Sequence, residues 1–447
     1  MELDQKTLAD LSIFNREEAY SVFGHLNFTR TNGGRDALER RFRNPLPDPD
    51  TIRKTQAALQ FLRQRLSDWP QEISNGTAMV MDKFLDAAED PIPLPSGMLA
   101  ELHALYYRFV MAPAYSLIHY SLTHLYTFLQ GMHRLVESFD TEETPEMLKG
   151  ELQLAARLLD RTEIRQFIKA QQKGALSIRK TIRFGHFMRH RHRQTFYKLM
   201  DLYYRLDAWY SMALAVDKLG LTFPGFEDNT KPVLDIEQLY HPLLQAPVAY
   251  DVNLDQATNF LFLTGANMAG KSTFIKAIGL CVYLAHLGMG VPAKKARMTF
   301  FDGLLSNIQV QDNIFMGESY FYNEVQRIKK TILKINDGRR WLILIDEMFK
   351  GTNFQDAKQC SIMVIEGLLQ MEGSLFVLST HLYEIAESLQ KHANISFRYF
   401  ETAIENEEPQ YSYQLKEGIS NDRLGFLILK RENVLELLKQ ITAKAQT

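Results

Sequence analysis

The chain has 447 residues, 46% of them apolar, and a net charge of −2. That length allows two or three domains with full cores, and the near-neutral balance means that any affinity for a polyanion has to come from local patches. Only Cys281 and Cys360 occur and Met1-Glu-Leu-Asp-Gln-Lys6 has no apolar signal core, which argues against a disulfide framework, a thiolate metal site and secretion, and suits a reducing, cytoplasmic compartment.

The first half reads as helical. Leu99–Tyr107, Pro145–Leu159, Thr162–Gln172 and Thr195–Leu219 carry apolar residues at helical spacing, with few Gly or Pro inside them. Between Phe109 and Met132 there is no Lys, Arg, Asp or Glu. A membrane span needs about 20 mostly apolar residues. This stretch also carries His, Ser, Thr and Gln and is interrupted by Pro113, so it reads as a buried helical element, with membrane association as the alternative. The turn-rich Thr222–Pro232 looks like a domain boundary.

After that boundary the character changes. Short apolar runs at Phe260–Thr264, Trp341–Ile345 and Leu375–Ser379 alternate with helical segments, as in a sheet covered by helices. Ile395–Phe400 and the alternating Tyr411–Leu415 suggest later strands, antiparallel in pairing, and Val434–Ile441 closes the chain as an amphipathic helix. The expected fold class is α followed by α/β: a helical domain over 1–230, then a mixed sheet covered by helices over 231–447.

The chemistry concentrates in the second domain. The strand Phe260–Thr264 runs into Gly265-Ala266-Asn267-Met268-Ala269-Gly270-Lys271-Ser272-Thr273 and then into a helical pattern. This is a P-loop in its required context: glycines let successive N–H groups face phosphate oxygens, and the helix N-terminus adds to the attraction. Lys271 can reach the β/γ-phosphates of ATP and Ser272 can hold Mg²⁺. Trp341–Ile345 ends in Asp346, which can bind Mg²⁺ directly or through water, and Glu347, which can polarise a water toward the γ-phosphate. Ser379-Thr380-His381 ends another apolar run, where His381 can sense the γ-phosphate or hold the attacking water. Each acid or His, taken singly, could also be an ordinary strand end. In this order they describe an ATPase of the ABC type, in which two copies usually meet across two nucleotides.

These motifs resemble one family, MutS. Thr264–Thr273 is similar to its P-loop, down to the inner Asn267-Met268; Asp346-Glu-Met-Phe-Lys-Gly-Thr352, Gly288-Met-Gly-Val-Pro-Ala293 and Ser379-Thr-His381 match its other signatures. Tyr240-His-Pro-Leu243 resembles the segment that opens its ATPase domain, with Tyr where Arg is usual. Softer likeness continues through Leu3–Phe14, Leu26–Leu38, Asn44-Pro-Leu46 and Leu206–Ala213, which look like its core or lever domain. The resemblance implies phosphate contacts from Asn267 and Lys271, Mg²⁺ held by Ser272 and Asp346, Glu347 as general base and His381 as γ-phosphate sensor. Gly317-Glu-Ser319-Tyr-Phe-Tyr-Asn-Glu324 is similar to the family's signature loop, so Ser319 should reach the nucleotide of the neighbouring subunit in a homodimer made through the ATPase domain, with the C-terminal helix contributing. Ser319 can also be a plain helix N-cap.

The family's N-terminal mismatch-reading modules have no counterpart before Leu3, so mismatch recognition in the usual way is not expected. A basic stripe without acids between Glu163 and Asp201 includes Arg179, Lys180, Arg183, Arg189, Arg191 and Arg193, with His186, His190 and His192 interleaved. It could neutralise DNA phosphates without reading bases, or be a solvated helix surface paired with acids elsewhere. The expected protein is a MutS-like, ATP-hydrolysing dimeric switch that binds DNA nonspecifically; the alternative is the same switch acting on a protein or membrane-associated partner. A nucleotide binder without turnover fits less well, because Lys271, Asp346 and Glu347 are all present.

Overall fold

The computed structural model describes residues 1–87, 92–94, 100–308, 320–405 and 408–420. The chain forms two compact units that interleave in sequence: Leu26–Asn44 with Arg53–Leu219, and Met1–His25 with Pro45–Ile52 and Gly220–Thr447. The division therefore departs from a single boundary at 230, because the start of the chain packs with the sheet-bearing unit.

The first unit is helical. Helices Glu146–Leu159 and Thr162–Gln172 match their apolar spacing, and the last long helix, Arg193–Lys218, is buried over most of its length. The uncharged stretch is split between helix Ala100–Val110 and helix Ala112–Phe139, with Pro113 in the first turn of the latter, where its missing N–H costs no hydrogen bond. Its second part is core: Ile118, Leu122, Leu125, Phe128, Leu129 and Met132 are buried. Its first part is not, since Phe109 and Val110 are 73% and 58% exposed. Among the described residues, no helix is long and apolar enough to cross a membrane.

Asp207 fixes the entry to helix Asn32–Arg43. Its carboxylate is fully buried and accepts the N–H groups of Arg30 and Thr31 and the Thr31 hydroxyl, while Thr31 Oγ1 caps the helix by accepting the Gly34 N–H at 3.0 Å. Trp69 stacks on Tyr210 beside it, ring centroids 4.4 Å apart.

The second unit holds ten strands among the described residues: β1 (Gly225–Glu227), β2 (Leu234–Leu239), β3 (Tyr250–Leu254), β4 (Phe260–Thr264), β5 (Lys295–Thr299), β6 (Gly303–Asn307), β7 (Trp341–Asp346), β8 (Ser374–Ser379), β9 (Ile395–Glu405) and β10 (Glu408–Glu417). A six-stranded sheet runs β10-β9-β4-β8-β7-β6, and a second sheet runs β1-β5-β2-β3. In the larger sheet β4, β6, β7, β8 and β9 are parallel, and β10 returns antiparallel to β9. The central strands β4, β7 and β8 are buried at every position, as expected of parallel strands covered on both faces. Helix Lys271–His286 reads apolar all round and is buried almost throughout. The N-terminus dresses the β6 edge: Glu2 bridges Gly303, and Asp10, buried, accepts from Ser306 Oγ at 2.6 Å and the Ile308 N–H at 2.9 Å. Edge strands expose unpaired backbone groups, so this cover satisfies what β6 would otherwise leave open.

Candidate functional site

The parallel register decides which side chains meet. Leu263 of β4 lies beside Ser379 of β8, and Ser379 beside Asp346 of β7. The glycine loop, the acidic pair and the Ser-Thr-His segment thus all leave the sheet at the carboxyl ends of adjacent strands, the edge where open parallel sheets bind ligands.

Within the loop, Gly265 and Gly270 take φ of +138° and +105°, conformations that side chains rarely adopt. A Cβ on Gly265 would also crowd the Phe400 carbonyl oxygen at 3.2 Å. Met268 sits at φ +69° and is 77% exposed, whereas Ala266 and Ala269 are buried beneath the loop. Lys271 opens the helix, is 5% exposed, and donates to the carbonyls of Gly265 at 2.8 Å and Ala266 at 2.9 Å. Burial lowers its pKa, opposed by the charges of Glu347 and Asp346. Ser272 Oγ donates to one oxygen of Asp346 and Ser379 Oγ to the other.

Glu347 lies one residue beyond Asp346 at φ +64°, its N–H bonded to the Ser379 carbonyl at 2.9 Å. Its Oε2 meets His381 Nδ1 at 3.2 Å and Lys350 Nζ at 3.1 Å. Burial pushes the Glu347 carboxyl up, but the His381 hydrogen bond and the Lys350 ammonium outweigh it and hold it down, to about 2. Glu347 is therefore an anion at neutral pH, and His381, half-exposed, stands beside it.

A cavity of about 490 Å³ opens against this cluster, lined by Asn267, Met268, Gly270, Lys271, Ser272, Thr273, Phe274 and Glu347 on one side and by His241, Leu244, Val248, Tyr250 and Tyr413 on the other. Burial lowers the His241 pKa to about 4, with Lys276 adding to the effect, so its ring is neutral. Tyr250 packs edge-on against Phe274 and Phe400 at 5.1 and 5.6 Å. This aromatic wall is not evident in the sequence: Tyr240–Leu243 and Tyr411–Leu415 mark His241 and Tyr413 only as parts of segments, and nothing local points to Tyr250. Distant strands bring them to one place.

The residues fit a nucleoside triphosphate with Mg²⁺. A buried cation and a helix N-terminus face the cavity for phosphates, a hydroxyl and a carboxylate already in contact offer hard oxygen ligands, and an apolar wall suits a base. Among the described residues no group of three or more His, Cys, Asp or Glu could hold a metal.

Ser319 and the C-terminal helix at Val434–Ile441 lie outside the described residues. In the basic stripe Arg189 is buried, while Arg179, Arg191 and Arg193 are exposed and ion-paired. Arg189 is 5% exposed and donates to the Ala87 carbonyl, Arg179 pairs with Glu101 at 3.2 Å, Arg191 with Glu163 at 3.3 Å, and Arg193 with Asp86 at 3.1 Å. Lys180 and Arg183 are exposed.

Residues 261–447 match the family described as MutS domain V. The human protein "MutS protein homolog 4" is 31% identical over 243 residues, covering 52% of this chain and 25% of that protein. "DNA mismatch repair protein MutS" of Leuconostoc mesenteroides is 32% identical over 229 residues, covering 49% and 26%. "DNA mismatch repair protein msh3" of Aspergillus oryzae is 27% identical over 256 residues, covering 54% and 23%. The matched stretch spans about a quarter of the length of these relatives. Residues 261–447 are thus similar to MutS domain V, and about half of the chain is similar to proteins of the MutS family.

Proposed function

We propose that the protein is a Mg²⁺-dependent ATPase of the ABC type whose hydrolysis drives a dimeric switch acting on DNA. The observation that carries this reading is the convergence of Lys271, Ser272, Asp346, Glu347 and His381 at the carboxyl ends of three adjacent parallel strands, beside a cavity of about 490 Å³. Lys271 and the N–H groups of the Gly265–Thr273 loop hold the phosphates, and Asn267 adds a polar contact. Ser272 and Asp346 hold Mg²⁺, which when bound neutralises charge on phosphate oxygens. Glu347, kept anionic by its neighbours, accepts a proton from the attacking water, and His381 orients that water or reads the γ-phosphate. Tyr413 and His241 flank the base.

By the family resemblance, Ser319 completes the site of a second copy, so that ATP draws two ATPase domains together and hydrolysis parts them. Phosphate release measured for the wild type and for Glu347→Gln tests the assignment: the variant should bind ATP, lose turnover and accumulate as an ATP-bound dimer. Unchanged turnover in Glu347→Gln would sink it.

A second reading keeps the switch and replaces DNA with a protein or membrane-associated partner. It is favoured by the exposed Leu102, Tyr106, Phe109 and Val110 on helix Ala100–Val110. ATPase rates and salt titrations with duplex and branched DNA separate the two. Binding that weakens steeply with salt supports DNA; no binding at low salt, with or without ATP, supports the partner.

A further inference from the structure

Glu324 lies on helix Tyr320–Ile335, away from the nucleotide cavity, and is 1% exposed. A buried carboxylate is costly unless it is bonded. Its Oε2 accepts the Gly351 N–H at 3.4 Å. Burial raises its pKa, and the nearby N–H groups of Phe349 and Lys350 favour its charged form against that burial. Oε1 has no partner among the described residues. Glu324 therefore ties down Gly351, in the segment that immediately follows Glu347.

That segment needs holding. Glu347 and Phe349 both sit in the left-handed region, at φ +64° and +59°. Non-glycine residues there are strained and persist only where their surroundings over-determine them. Phe349 is 4% exposed and packs on Phe321, ring centroids 5.8 Å apart. Phe321 and Glu324 are three residues apart on one helix, hence on one face. One face thus holds both the ring of Phe349 and the backbone N–H of Gly351. Lys350, inside the same segment, reaches back to Glu347 Oε2 at 3.1 Å.

We propose that Glu324 is a positioning residue for ATP hydrolysis: through the Gly351 N–H it holds the segment after Glu347 in the strained form that aims Glu347 and Lys350, without touching the nucleotide. This rests on the ATPase assignment above. Glu347 depends on that aim because a misplacement of about 1 Å can cost about 10²-fold in rate. Binding of ATP, by contrast, is carried by the Gly265–Thr273 loop and the aromatic wall, neither of which bonds to Glu324.

The test compares full-length wild type, Glu324→Leu and Glu324→Gln for steady-state kcat, Kd for N-methylanthraniloyl-ATP with Mg²⁺, and thermal midpoint. Glu324→Leu removes the acceptor at similar size, and kcat should fall about 30-fold or more while Kd stays within about threefold. Glu324→Gln keeps a carbonyl acceptor for the Gly351 N–H, with its amide at the unpartnered Oε1 position, and should retain kcat within about threefold. If Glu324→Leu does not fold, Phe321→Leu removes the ring contact instead, and about a fivefold loss of kcat at unchanged Kd is expected. The proposal is overturned if the acceptor-less variant keeps its kcat, or if kcat, affinity and midpoint fall together, which marks a merely structural role. A wild type that hydrolyses no ATP overturns the ATPase assignment itself, and the positioning role goes with it.

Discussion

The Ser272 hydroxyl donates to Asp346 Oδ2 across 74 residues of chain. The other Asp346 oxygen is held by Ser379 Oγ. The carboxylate is thus fixed between a helix N-terminus and two strand ends, where it and the Ser272 hydroxyl would offer oxygen ligands to Mg²⁺. Ser272→Ala and Asp346→Asn should each lower ATP turnover by about 10²-fold, and chelation of Mg²⁺ should reduce the wild type to background. Phosphate release against Mg²⁺ concentration is the measurement; variants with wild-type Mg²⁺ dependence would remove these two residues from the site.

Tyr413 lines the cavity beside the glycine loop, and its ring comes within 3.4 Å of where a Cβ on Gly270 would stand. An aromatic stacked on a base contributes about 1–3 kcal/mol. Tyr413→Ala should weaken ATP binding by about tenfold and Tyr413→Phe should not, since the ring face is kept. Inorganic triphosphate has no base and serves as the control: its affinity should be the same in all three proteins. Equal ATP affinity in Tyr413→Ala would place the base elsewhere.

Gly34 has no room for a side chain. An added Cβ would lie 2.1 Å from Asp207 Oδ2, the carboxylate that organises Arg30 and Thr31. Gly34→Ala should destabilise the helical unit by about 2–4 kcal/mol, through overpacking and loss of buried hydrogen bonds. Gly150, inside helix Glu146–Leu159, has nothing within 4 Å of its would-be Cβ. Gly150→Ala should therefore stabilise by about 0.5–1 kcal/mol. Thermal midpoints moving in opposite directions would bear this out; equal shifts would not.

His286 is fully buried, with Nδ1 2.7 Å from the Val282 carbonyl and Nε2 accepting the Phe301 N–H at 3.0 Å. One ring nitrogen must donate and the other accept, so only the neutral ring fits. Desolvation lowers its pKa to about 3. The folded pKa lies below the unfolded value of about 6.5, so protonation favours unfolding. The contribution of His286 is full above that value and is lost as the pH falls from about 6.5 toward 3. Denaturant midpoints between pH 7 and 4 should decline for the wild type, and more shallowly for His286→Gln, which carries no titrating ring. Parallel slopes would assign the acid sensitivity to other groups.

Much of the second unit was legible in the sequence because its signals are local. Phe260–Thr264, Trp341–Ile345 and Leu375–Ser379 are short apolar runs, as parallel strands covered on both faces require. The glycines of the loop and the acids at the end of β7 are tied to backbone geometry and strand position, so their spacing alone marks them. The antiparallel return of β10 on β9 follows from the alternation at Tyr411–Leu415. The second sheet gave no such sign, since its short strands carry no long apolar run and pair over distances the sequence does not state.

The basic stripe shows the limit most clearly. In sequence Arg179, Arg189, Arg191 and Arg193 are equivalent cations. In the fold Arg189 turns inward to the Ala87 carbonyl and the others meet Glu101, Glu163 and Asp86. The irregular turn at Phe187–Arg191, between helix Ile178–His186 and helix Arg193–Lys218, changes which face each residue presents.

By itself, then, the sequence determined the chemistry: a phosphate loop, an acidic strand end and a histidine in family order, because each is written in a few contiguous residues. Tertiary structure alone decided the partners. That Tyr250, His241 and Tyr413 share a wall, that Asp10 at the start of the chain caps the β6 edge, and that Glu324 clamps the segment after Glu347 all depend on parallel strand order and helix packing. Those contacts join residues far apart in the chain, and no local pattern encodes their distance.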